Sequence, residues 1–165
     1  MAKGTYNVLF LCTGNSARSV LAEAYLRSVG AARFASFSAG SMPAGRVNPF
    51  ALELLERKGL PTGDLRSKSW DEFAVPGAPA MDLIITVCDN AAGEVCPVWP
   101  GQPITAHWGV PDPAAVEGDD PARRAAFLQA YTVLARRIDI LTGLRLEALD
   151  RMAAERSVRQ IASQA

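Results

Sequence analysis

The stretch "YNVLFLCTGNSARSVLAEAYLRSVG", residues 6–30, decides how the fold is read. Its first seven residues are apolar, continuous and few, the pattern of a strand buried on both faces. From about Ala17 to Val29 the residues Val20, Leu21, Ala24, Tyr25 and Leu26 recur at helical spacing, and Gly30 supplies a stop. Between strand and helix lies Cys12-Thr13-Gly14-Asn15-Ser16-Ala17-Arg18-Ser19, a Cys-x5-Arg-Ser loop. Its backbone N–H groups run into a helix amino terminus, where they lack intrahelical partners and the dipole is positive, so Thr13, Gly14, Asn15, Ser16, Ala17 and Arg18 are expected to cradle a tetrahedral oxyanion. Gly14 and Asn15 tolerate the positive φ of a tight turn. Arg18 offers a planar fork that Lys cannot copy. Cys12, set among these donors, is expected to have its thiol lowered from about 8.5, with the Ser19 hydroxyl donating to the thiolate. The Gly-x4-Gly-Lys pattern of a nucleotide-binding loop is missing, so a thiol and not a lysine stands at the chemical centre.

Outward from this stretch, strands and helices alternate. "FASFSAG" (34–40) predicts a second strand, "MDLIITVC" (81–88) a third and "PITAHWGV" (103–110) a fourth. "NPFALELLERKG" (48–59) predicts a helix with Asn48 as cap, Pro49 at the first position and Gly59 as stop. A long helix starts near Pro121, capped by Asp119 or Asp120, and runs to Gly143. The tail from Leu144 to about Arg159 predicts an amphipathic helix with Leu146, Leu149, Met152 and Ala153 on its apolar side. Such alternation argues for a parallel sheet covered on both faces, with ligands bound beyond the carboxyl ends of the strands. If the strand order is 2-1-3-4, Cys12 and Cys88 end adjacent strands and open onto one crevice.

Composition sets the frame. A length of 165 residues suits a single catalytic domain over 1–165, with its core at about 6–143 and a helical tail at about 144–160. Lys plus Arg number 17 and so do Asp plus Glu, so no overall field draws the chain to nucleic acid or an anionic membrane. The apolar run within "MAKGTYNVLFLC" is too short for a signal-peptide core or a membrane span, and a cytoplasmic monomer is expected. Cys12, Cys88 and Cys96 are too few for a secreted disulfide framework. A structural zinc site, which wants four Cys or His ligands, is a weaker reading with His107 as the one histidine.

The Cys12-x5-Arg18-Ser19 loop in its strand-loop-helix setting, together with Asp112-Pro113, resembles the low-molecular-weight protein tyrosine phosphatases and the thioredoxin-coupled arsenate reductases that share their fold. The resemblance implies an α/β fold with a four-stranded parallel sheet flanked by helices. It also implies Cys12 as nucleophile, Arg18 as oxyanion clamp and Asp112 as the acid that assists oxygen departure. A turn residue ahead of Pro113 is the plainer reading of Asp112. Phosphatases of this type follow the acidic pair with aromatic residues, where "PDPAAVEGDD" supplies alanines, and many carry a cysteine where this chain has Ala17.

"TVCDNAAGEVCPVWPG", with Cys88 and Cys96 eight positions apart, resembles the redox segment of the arsenate reductases. The likeness implies a relay: Cys12 takes up arsenate, Cys88 resolves the adduct, and Cys96 carries the disulfide out to thioredoxin or another thiol reductant. A straight helix would hold the α-carbons of Cys88 and Cys96 roughly 12 Å apart, whereas a disulfide needs less than about 7 Å, so the segment must bend when oxidised. Gly93, Pro97 and Pro100 favour that bend. Some such reductases also bind potassium; Asn15, Glu23 and Ser38 match its ligands in part, but "DLRSKSW" lacks the carboxylate, and no metal is assigned. His107 and the tryptophans Trp70, Trp99 and Trp108 are expected to position loops and pack. Arsenate reduction is the expected activity, with phosphate and sulfate as analogues of the substrate. Phosphomonoester hydrolysis and an oxyanion sensor without turnover are the alternatives.

Overall fold

The computed structural model describes residues 4–88 and 102–164. Strands β1 (Tyr6–Cys12), β2 (Phe34–Gly40), β3 (Leu83–Thr86) and β4 (Ile104–His107) form one parallel sheet in the order β2-β1-β3-β4. Helices α1 (Arg18–Gly30), α2 (Pro49–Arg57), α3 (Asp120–Gly143) and α4 (Arg151–Gln164) complete the described elements with three short 3₁₀ turns.

Alternation along β1 explains how the sheet is covered. Tyr6, Val8 and Phe10 face a core shared with α1, α3 and α4, while Leu9 and Leu11 face the other way. That second face is closed by Trp70 and Phe73 of a 3₁₀ turn (Trp70–Phe73) and by Met81. Helix α1 is buried almost all round because α3 packs across it; Tyr25, at its edge, donates a 2.6 Å hydrogen bond to Asp139 of α3. Register places Cys12 opposite Gly40 and Leu11 opposite Thr86, so the carboxyl ends of β1, β2 and β3 meet at one edge.

Several boundaries differ from expectation. Strands β3 and β4 are shorter than the runs 81–88 and 103–110, because pairing stops where the chain turns toward the site. Trp108 and Val110 still donate to the carbonyls of Thr86 and Val87 past the strand ends. Asn48 caps α2 by accepting from the Phe50 amide at 2.8 Å, and Gly59 follows the helix at φ +75°. Asp119 caps α3. The tail is not one helix from Leu144: a 3₁₀ turn (Leu146–Ala148) precedes α4, and Asp150 accepts from the Ala153 amide. This new start rotates the apolar face. Ala154, Val158 and Ile161 are buried and Met152 is 77% exposed, while Leu146 packs in the core ahead of the helix. Trp108 fastens the tail by donating from Nε1 to the Val158 carbonyl at 3.0 Å.

Candidate active site

The Cys12–Ser19 loop is held from outside by its carbonyls. Thr13 accepts from the Met42 amide, Gly14 from the Ala44 amide and the Ser67 hydroxyl, and Ser16 from the Asn48 amide, all at 2.8–3.0 Å. The amides of Gly14, Asn15, Ser16, Ala17 and Arg18 have no protein acceptor among the described residues. A loop with carbonyls bound outward and amides left over, at a helix amino terminus, is built to take an anion. Asn15 supplies the left-handed turn at φ 45°, while Gly14 does not need one. Gly40 allows the loop to lie this close to β2: a Cβ there would stand 2.4 Å from the Thr13 carbonyl oxygen and 2.9 Å from that of Cys12.

Strand order brings Cys88 to Cys12. Both are buried, and the Thr13 amide, next to Cys12 in the chain, donates to Cys88 Sγ at 3.3 Å. The Cys12 thiol is not lowered as expected. The hydrogen bond to Cys88 holds its proton and burial disfavours the thiolate, both pushing it above the ordinary value, against the downward pull of Arg18 and the Thr13 amide. The expectation weighed the loop donors alone; the neighbouring sulfur reverses the sign. Cys96 and Trp99 lie outside the described residues.

Arg18 is swung to the wall of the site. It donates to the Val110 carbonyl at 2.8 Å and lies 3.7 Å from the Asp112 carboxylate. Asp112 caps a 3₁₀ turn (Pro113–Ala115) by accepting from the Ala114 amide, and its side chain is 43% exposed beside Arg18. The neighbouring carbonyl of Gly109 accepts from Arg137, a second tie on the acid segment. Ser19 Oγ is buried and accepts from Asn15 Nδ2 at 2.8 Å; no bond from Ser19 to Cys12 is present among the described residues. His107 pairs through Nδ1 with the Thr86 hydroxyl at 2.7 Å on the exposed side of β4.

Behind the loop lies a polar layer of which the sequence marked Asn15, Glu23 and Ser38 but not Lys68. Asn15 Nδ2 donates to both Ser19 and Ser38, Ser38 donates to the Glu23 carboxylate, and the Lys68 amide donates back to Asn15 Oδ1 at 2.9 Å. Lys68 Nζ stands 3.9 Å from Glu23 Oε1, and Arg27 holds the other Glu23 oxygen. Burial pushes the Glu23 carboxyl up, opposed by Ser38, Lys68 and Arg27; burial pulls Lys68 down, opposed by Glu23. Asn15, Glu23 and Ser38 therefore do converge, but an ammonium faces their carboxylate, and the set does not fit a potassium ion. Ser36 and Ser38, two apart in an otherwise apolar strand, were the available signal of a polar partner behind β2.

A parallel α/β sheet with a thiol-bearing anion loop at its carboxyl edge and a carboxylate over that loop defines enzymes that attack tetrahedral oxyanions through sulfur. The chain belongs to the low molecular weight phosphotyrosine protein phosphatase family, whose pattern matches residues 7–156. An arsenate reductase of Halalkalibacterium halodurans is 35% identical over 131 residues, covering 79% of this chain and 91% of the relative. The crystal structure of an arsenate reductase from Archaeoglobus fulgidus aligns with TM-score 0.65 at 29% identity, over 83% of this chain and 99% of that one. The thioredoxin-dependent arsenate reductase of Corynebacterium glutamicum aligns with TM-score 0.62 at 28% identity, over 86% of this chain and 62% of that longer one. Among the described residues no helix is long and apolar enough to cross a membrane.

Proposed function

We propose that this protein reduces arsenate to arsenite. The observation that carries the reading is the placement of Cys88 against the Cys12 loop: a second buried cysteine, its sulfur accepting from the Thr13 amide, beside an anion cradle. A phosphatase needs one nucleophilic sulfur, whereas a reductase needs a second within reach of the first.

The loop amides of residues 14–18 and the Arg18 guanidinium bind the oxyanion, the Thr13 amide being taken by Cys88 Sγ. Cys12 gives up its proton as its sulfur attacks arsenic(V), an As–O bond breaks, and the departing oxygen takes up that proton by way of the Asp112 carboxylate and leaves as water, giving a Cys12–S–As adduct. Cys88 thiolate then attacks Cys12 sulfur. The S–As electron pair departs with arsenic, which becomes arsenic(III) in arsenite, while the two sulfurs give up two electrons to form Cys12–Cys88. Cys96 attacks Cys88 and frees Cys12 as a thiolate. An external dithiol, thioredoxin being the candidate by likeness to the Corynebacterium enzyme, reduces Cys88–Cys96. The relay requires a reducing compartment, in keeping with the expected cytoplasmic location.

The test is one equivalent of arsenate added to fully reduced protein, followed by peptide mapping in the mass spectrometer. A Cys88–Cys96 disulfide is expected, and Cys96→Ser should trap Cys12–Cys88. Three free thiols after arsenate, with steady hydrolysis of an aryl phosphate in the absence of reductant, would overturn the proposal in favour of a phosphatase.

A further inference from the structure

The polar layer behind the loop closes on itself. The Lys68 amide donates to Asn15 Oδ1, Asn15 Nδ2 donates to Ser38, Ser38 donates to Glu23, and Glu23 Oε1 faces Lys68 Nζ. One residue thus touches the loop with its backbone and the loop's buried acid with its side chain. Lys68 is 8% exposed and Glu23 6%, and the ammonium makes a further bond to the Arg66 carbonyl at 2.9 Å. Arg27 does not duplicate it, since it holds Glu23 Oε2 and is shared with Asp64 on the surface.

We propose that Lys68 is a positioning residue that serves as the loop's built-in cation, holding Glu23, Ser38 and Asn15 in the arrangement that keeps the oxyanion cradle open, with no metal ion needed. The reasoning is electrostatic and geometric. A buried carboxylate that orients a hydroxyl needs counter-charge close by, and a tethered ammonium beside Oε1, the oxygen that accepts from Ser38, supplies it at no cost in ion binding. Asn15 is the residue whose left-handed turn shapes the loop, so the ring acts on the cradle through it. The proposal rests on the loop being an oxyanion site and not on arsenate being its substrate.

The experiment reads thermal unfolding and binding of inorganic phosphate by calorimetry, without turnover, in potassium chloride and in choline chloride at equal ionic strength. Wild type should give the same values in both salts. Lys68→Ala should lose roughly 6–20 °C in Tm in choline, the loss expected for breaking a buried pair in a domain of this size. Its phosphate affinity should fall about tenfold, and potassium should restore part of both, because the truncated side chain leaves room for an ion beside Glu23. Lys68→Met should be impaired without restoration, since its stem fills that room. Glu23→Gln added to Lys68→Met should recover part of the stability, as it removes the carboxylate charge at Oε1 that Lys68 no longer balances. A wild-type gain in potassium, equal behaviour of the Ala and Met variants across the salts, or additive losses in the double variant would each overturn the proposal. If arsenate reduction itself fails while these results hold, the inference stands and the activity assignment does not.

Discussion

Gly40→Ala is the sharpest test of how the site is built. Gly40 ends β2 opposite Cys12, and a methyl group there would meet backbone on three sides: the Thr13 oxygen at 2.4 Å, the Cys12 oxygen at 2.9 Å and the Asn15 nitrogen at 3.0 Å. Ordinary contact begins near 3.4 Å, so the loop must retreat by about 3.4 − 2.4 = 1.0 Å at Thr13. It cannot retreat freely, because the same Thr13 carbonyl is bound to the Met42 amide at 2.9 Å. Overpacking of this kind costs about 1–3 kcal/mol, or roughly 2–12 °C in Tm for a chain of this length. A displacement of about 1 Å in a positioned catalytic group costs on the order of 10²-fold in rate. Differential scanning fluorimetry with and without phosphate, alongside arsenate turnover, reads both effects. Gly63→Ala, where a Cβ meets nothing within 4 Å, serves as the control and should behave as wild type. A Gly40→Ala protein with wild-type Tm and turnover would refute the claim that close approach of β2 shapes the cradle.

Cys88→Ala removes the hydrogen bond and the neighbouring sulfur that hold the Cys12 proton, so alkylation of Cys12 by iodoacetamide near pH 7 should quicken by roughly tenfold to hundredfold; an unchanged or slower rate contradicts the assigned cause. Stability should respond to alkaline pH with a definite sign. The folded Cys12 keeps its proton above the ordinary value of 9.0, where the unfolded chain releases it, so its contribution is full below pH 9 and is lost above it. Urea midpoints measured from pH 8 to 10 should therefore fall faster for wild type than for Cys12→Ser, by up to about 1.4 kcal/mol per pH unit, and parallel curves would count against it. Trp108→Phe breaks the tie to the Val158 carbonyl and leaves that buried acceptor alone, which should cost about 1–3 kcal/mol and expose α4 to limited proteolysis before the sheet; uniform digestion would argue otherwise.

The strands and the loop were legible because each rests on local signals: a continuous apolar run, a Cys-x5-Arg spacing and a helix start. The meeting of Cys12 and Cys88 followed from topology once the order was 2-1-3-4. What could not be read was set by neighbours distant in sequence. The proton on Cys12 depends on a sulfur 76 positions away, and the orientation of Asn15 depends on Ser38 and Lys68. The tail misled for a different reason: Leu146 and Leu149 do sit at helical spacing from Met152 and Ala153, but Asp150 caps a fresh helix between them and resets the phase.

The outward tethering of the loop carbonyls has a consequence for selectivity. A cradle fastened to Met42, Ala44, Asn48 and Ser67 is stiff, and a stiff ring of amides responds to the shape and charge of a tetrahedral anion, in which phosphate and arsenate are near twins. On the proposed chemistry the protein does not choose its substrate at the door. Phosphate enters and leaves unchanged, and arsenate is singled out afterwards, because its central atom can accept the electron pair that Cys88 displaces. Discrimination becomes a matter of the visitor's redox fate, so abundant phosphate would slow the enzyme without ever deceiving it.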